Sequence, residues 1–107
     1  MSTQPSIHFY VLSLSYIRPV EEVDHFMDAH VSYLKSGYER GNFLLSGRKE
    51  PRTGGIILAR ASSREAVQSI IAEDPFLKEG VATYEVTEFL PSRSIDELAA
   101  VIADKNL

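Results

Sequence analysis

Residues 7–16 read IHFYVLSLSY and residues 56–61 read IILARA, and these two stretches decide the fold. Successive side chains of a β-strand point to opposite faces. Ile7, Phe9 and Val11 therefore share one face of the first stretch, and Tyr10, Leu12 and Leu14 share the other. In the second stretch Ile56 and Leu58 oppose Ile57 and Ala59. A strand that is apolar on both faces belongs in the middle of a sheet whose two faces are both covered. Residues 82–90 differ. There apolar Ala82, Tyr84 and Val86 alternate with polar Thr83, Glu85 and Thr87, the pattern of a half-solvated edge strand. Phe43–Ser46 reads as the remaining strand. Its link to Ile56–Ala61 carries Pro51 and the turn-forming pair Gly54-Gly55, which predicts a hairpin.

Helical patterns occupy the gaps. Pro19 suits a first helical turn, and Glu21, Glu22 and Asp24 complement the positive end of the helix dipole. Val23, Met27, His30 and Leu34 recur at three- and four-residue spacing beside Phe26, Tyr33 and Tyr38, so one helix is expected up to about Gly41. Ser62 or Ser63 caps the next helix, whose stripe is Ala66, Val67, Ile70 and Ile71 and which ends before Pro75. After Pro91, Ser94 as cap and Ile95, Leu98, Val101 and Ile102 as stripe predict a C-terminal helix at about 94–104.

The order strand, helix, two hairpin strands, helix, strand is the ferredoxin-like βαββαβ arrangement. It is an α+β fold with a four-stranded antiparallel sheet and its helices on one face. The other face is apolar and calls for a cover. A second copy packing sheet to sheet as a homodimer, or a higher homo-oligomer, is the simplest one, and the C-terminal helix folding back is the alternative.

Composition bounds the rest. A chain of 107 residues with 44% hydrophobic and 24% charged residues is expected to form a single domain over 1–107, with its core in 7–91. No cysteine is present, which removes disulfides, thiolate nucleophiles and sulfur-ligated metals and accords with a cytoplasmic setting. The start MSTQPS has no basic and apolar export pattern, and no apolar run approaches membrane-helix length. A net charge of −4 argues against nucleic acid as partner, and Arg48, Lys49 and Arg52 are interrupted by Glu50. The three histidines, His8, His25 and His30, have no metal-ligand spacing, and no glycine-rich phosphate loop or G-x-S-x-G elbow occurs. Neither metal nor cofactor is expected.

His30 falls on the apolar stripe of the first helix, and Asp74 follows the second helix ahead of Pro75. Taken singly, the first reads as a hydrogen-bonded core residue and the second as part of an Asx-type turn. Taken together they gain meaning, because both helices lie on one face of the sheet. An imidazole held by a carboxylate has its tautomer fixed, which is the arrangement of a general acid–base pair. Ser46 at a strand end offers a hydroxyl, or is an ordinary strand-end serine. Arg48 offers a bidentate contact to a carboxylate or phenolate, or is an ordinary surface arginine.

These residues also carry a resemblance. His30 with Tyr33-Leu34 in HVSYL, Leu44-Leu45-Ser46-Gly47, and Asp74-Pro75-Phe76 followed by Gly80 and TYEVTEFLP resemble the YciI-like (YCII-related) family, from Ile7 to Pro91. The resemblance implies a dimeric α+β barrel and a His–Asp pair in a cleft, falling on His30 and Asp74, with Tyr33 and Phe76 beside them as substrate contacts. It further implies a small-molecule enzyme of lyase, isomerase or dehydrochlorinase type. Many members carry proline after the Ser-Gly of the second strand, where this chain has Arg48, so substrate preference does not carry over. The alternative from another class is a non-catalytic ligand-binding or regulatory dimer in which the His–Asp pair is structural.

Overall fold

The computed structural model describes residues 7–104. The MSTQPS stretch and residues 105–107 lie outside the described residues. The elements are β1 (His8–Tyr16), α1 (Val20–His25), α2 (Met27–Glu39), β2 (Phe43–Arg48), β3 (Gly54–Ala61), α3 (Arg64–Ile71), α4 (Pro75–Lys78), β4 (Ala82–Phe89) and α5 (Asp96–Ala103). The four strands pair antiparallel in the order β2-β3-β1-β4. The two doubly apolar strands thus take the centre, and the alternating β4 takes an edge. This is the ferredoxin-like α+β fold. Among the described residues no helix is long and apolar enough to cross a membrane.

Register decides which side chains meet the helices. Leu12 stands opposite Ile57 and Val86, and Leu14 opposite Gly55 and Tyr84. That face builds two buried clusters. One joins Tyr10, Leu12, Tyr33, Phe43, Ile57 and Val67, and the other joins Leu14, Val23, Phe76, Val81 and Ala82. Each Leu, Val, Ile or Phe so buried contributes about 1.5–3 kcal/mol. Tyr84 packs against both clusters, so it marks their seam.

Several local features differ from the sequence expectation. The first helix is two helices: Pro19 is the N-cap rather than a first-turn residue, and Phe26, at φ −106° and ψ 10°, separates α1 from α2. One residue out of helical geometry leaves the apolar spacing almost unchanged, so periodicity passes over it. Gly54-Gly55 lies within β3 and not in the turn, and β2 runs on to Arg48. The reason is close approach, since a Cβ on Gly54 would stand 1.8 Å from the Leu14 carbonyl oxygen. Ser63 is the α3 cap, its hydroxyl accepting from Ala66 N–H at 3.1 Å. Ser94 is not the cap of α5. Its hydroxyl instead donates to the Ile95 carbonyl, and Ile95 takes the N-cap place without a side-chain bond.

On the face away from the helices Phe9 is buried against Phe89, while Leu45, Ile56 and Phe89 are exposed. Arg60, on the same face as Phe9, donates from Nε to the Gly41 carbonyl at 2.9 Å and from Nη1 to the Val101 carbonyl at 3.2 Å. It also pairs with Asp104 at 3.4 Å. One arginine therefore ties the end of α5 to the domain.

Candidate active site

Asp74 is placed by its own local chemistry. Its backbone N–H donates to the Ile71 carbonyl, and its Oδ1 caps α4 by accepting from Phe76 N–H at 3.0 Å. Pro75 fills the first helical position, where a missing N–H costs nothing. This is the Asx-type geometry that Asp-Pro-Phe implies, and it leaves the carboxylate 0% exposed beneath α2.

A buried carboxylate is costly unless its oxygens are satisfied. Here Oδ1 also meets His30 Nδ1 at 2.8 Å, and Oδ2 accepts from the Tyr84 hydroxyl at 2.5 Å. Tyr84 has one proton, which goes to the carboxylate. The 3.3 Å contact between the Tyr84 and Tyr33 hydroxyls is therefore donated by Tyr33. Burial pushes both phenols well above the usual tyrosine range, and the nearby Asp74 charge adds to this, so both stay protonated donors.

The same logic assigns the tautomer of His30. A carboxylate only accepts, so Nδ1 carries the proton and the neutral ring has a bare Nε2. Phe76 stacks on the imidazole at 4.0 Å and 3°, and Tyr33 stands 5.8 Å away at a tilt. The ring is thereby held on its face and on its Nδ1 edge. His30 keeps 8% exposure, and Nε2 has no hydrogen-bond partner among the described residues.

His30 opens onto a cleft of about 170 Å³ between α2 and the sheet. Met27, Val31 and Leu34 on α2 and Leu14 and Ile57 on the sheet make apolar walls, and Gly54 and Gly55 add no side chain to the floor. Ser46, Arg48 and Phe76 line the same cleft. Ser46 Oγ lies 2.5 Å from the Tyr38 hydroxyl, so one of the two donates to the other. Tyr33 does not line the cleft and sits behind His30 in the Tyr33–Tyr84–Asp74 chain. Among the described residues no group of three or more His, Asp or Glu side chains is placed to hold a metal ion.

The sequence expectation did not include Tyr84, the third donor to Asp74, Tyr16, which lines the cleft, or Tyr38, which bonds Ser46. A signal for Tyr84 existed. Strand alternation turns it inward with Ala82 and Val86, and a buried tyrosine hydroxyl needs a partner.

No curated protein sequence matches the chain. Among solved structures it is similar to the 5-chloro-2-hydroxyhydroquinone dehydrochlorinase TftG from Burkholderia phenoliruptrix AC1100 in complex with 2,5-dihydroxybenzoquinone. The TM-score is 0.66 at 20% identity, over 76% of this chain and 92% of that one. It is also similar to SnoaB, a cofactor-independent oxygenase from Streptomyces nogalater, with a TM-score of 0.51 at 12% identity over 85% of this chain and 98% of that one. At such identities the likeness is one of fold, the α+β barrel fold. The model of the YCII-related domain matches residues 9–90, and the chain therefore belongs to the YCII-related domain family.

Proposed function

We propose that this chain is a small-molecule enzyme that works by general acid–base catalysis without a bound cofactor. His30 Nε2 is the proton-transfer group and Asp74 orients and charge-stabilises the ring. The observation that carries the reading is the placement of His30: its Nδ1 meets a buried carboxylate that has two further donors, and the residue lines an open cleft, which assigns the proton to Nδ1 and leaves Nε2 for proton transfer. A purely structural His–Asp pair would not need that nitrogen unpartnered.

The chemistry this suits is elimination or isomerisation on a small ring. In an elimination Nε2 takes a proton from a ring carbon, the C–H electron pair becomes the new double bond, and the leaving group departs with its own bonding pair. The imidazolium so formed lies against Asp74, which lowers the cost of its charge. TftG is a dehydrochlorinase, which supports an elimination, and SnoaB is a cofactor-independent oxygenase, which supports chemistry without a cofactor on this fold.

The reading is tested by turnover against a panel of chlorinated hydroquinones and small unsaturated lactones, with halide release and ultraviolet absorbance as readouts. Wild type should turn over at least one class, and His30→Gln should be about 100-fold slower or worse. Absence of turnover across the panel, or an undiminished His30→Gln, would count against it. The same reading includes a homodimer that covers Leu45, Ile56 and Phe89 on the outer sheet face. Sedimentation equilibrium at micromolar concentration should give twice the chain mass, and a monomer there would remove this part.

A further inference from the structure

We propose that the ligand of this cleft is a single ring carrying an anionic group, a carboxylate or phenolate, and that Arg48 is its anchor. This rests on the acid–base reading above and gives its substrate class.

The charge pattern carries the inference. Arg18, Arg40, Arg52, Arg60 and Arg64 each pair with a carboxylate of this chain. Arg48 and Arg93 have no such partner among the described residues, and of the two it is Arg48 that lines the cleft beside His30. Arg48 is the cation at an otherwise mostly apolar cleft, in a chain with 15 acidic residues against 11 basic ones. No carboxylate lines the cleft to cancel it, because Asp74 lies fully buried behind His30. Lys49, the next residue, is turned to the other side, where it bonds Ser15 at 3.2 Å.

Space and geometry narrow the ligand further. A cavity near 150 Å³ holds one benzene ring, and this cleft measures about 170 Å³. Arg48 pairs with Gly55 across the β2–β3 ladder, so the residue opposite it brings no side chain to the cleft. Ser46, two residues earlier on the same strand face, adds a hydroxyl. A guanidinium fork matches a carboxylate in a bidentate pair. A ring anchored there by its anion has its remaining edge free for His30 on the helix wall.

The test uses benzoate and its neutral counterpart benzamide, titrated into the isotope-labelled full chain and followed by amide chemical shifts. At low salt benzoate should bind about tenfold tighter than benzamide, with shifts in β2, β3 and α2. Arg48→Gln should abolish that preference and Arg48→Lys should retain part of it. His30→Gln should keep benzoate binding, since the anchor is separate from the proton-transfer group. Equal affinity for the two probes, an Arg48→Gln that still prefers benzoate, or no benzoate binding would each overturn the proposal. Failure of turnover in the panel would leave the benzoate result standing, so the two readings fail separately.

Discussion

Replacing Tyr84 with phenylalanine removes one hydroxyl and keeps the ring that packs at the seam of the two clusters. The hydroxyl is the donor to Asp74 Oδ2, at 2.5 Å, whereas Oδ1 keeps both His30 and Phe76 N–H. Asp74 is 0% exposed, so water cannot replace the lost donor without opening the core. A hydrogen bond to a buried charged group is worth about 1.5–3 kcal/mol, and about 2 kcal/mol is the working figure. With an unfolding entropy of about 2.1 cal/mol/K per residue, 107 residues give about 0.22 kcal/mol/K, so Tm should fall by about 9 °C. Tyr33→Phe loses only the long 3.3 Å bond into the Tyr84 oxygen and should cost less than about 1 kcal/mol. Scanning calorimetry at neutral pH measures both. A Tyr84→Phe variant within about 2 °C of wild type, or a Tyr33→Phe variant that costs as much, would refute the chain of donors described here.

Gly37→Ala should destabilise by about 1–2 kcal/mol in denaturant unfolding, although alanine is the better helix former. Its Cβ would stand 2.0 Å from the Phe43 ring, which is buried and packs edge-on against Tyr33. Stability should also fall in alkali. Tyr10, Tyr33 and Tyr84 are raised by burial, so above about pH 10 the unfolded chain sheds phenolic protons that the folded chain keeps. Their contribution is complete below that pH and is lost as pH rises past it, by up to about 1.4 kcal/mol per pH unit per phenol. Unfolding curves from pH 8 to 11 should show this, with a shallower decline in the Tyr33→Phe, Tyr84→Phe double variant. Arg60→Ala should speed amide exchange in α5 while leaving β1 and β3 unchanged, because Arg60 bonds Val101 and pairs with Asp104.

The centre of the sheet was legible because Leu12 and Leu14 on one face, and Phe9 and Val11 on the other, leave β1 no exposed side. The meeting of His30 and Asp74 was open to inference only through topology, which put both helices on one face. What escaped was chemistry spread across elements. Tyr84 completes the carboxylate's donors from β4, and its strand pattern signals an inward side chain without saying what it will meet. Gly54-Gly55 carries the same letters as a tight turn, yet the Leu14 carbonyl beside Gly54 is what demands a residue without a side chain. Phe26 interrupts the helix without disturbing the apolar spacing, so no pattern of residue types could mark the break.

Proton transfer by His30 requires the proton on Nδ1 and a bare Nε2, and long-range proton–nitrogen NMR of histidine-labelled protein reads that tautomer directly. In the neutral form of His30, Nδ1 should show the protonated signature and Nε2 the bare one, with Nε2 shifting when benzoate enters the cleft. A proton on Nε2 with Nδ1 bare, or an Nε2 resonance that ignores cleft ligands, would contradict the claim that Asp74 presents this nitrogen for proton transfer.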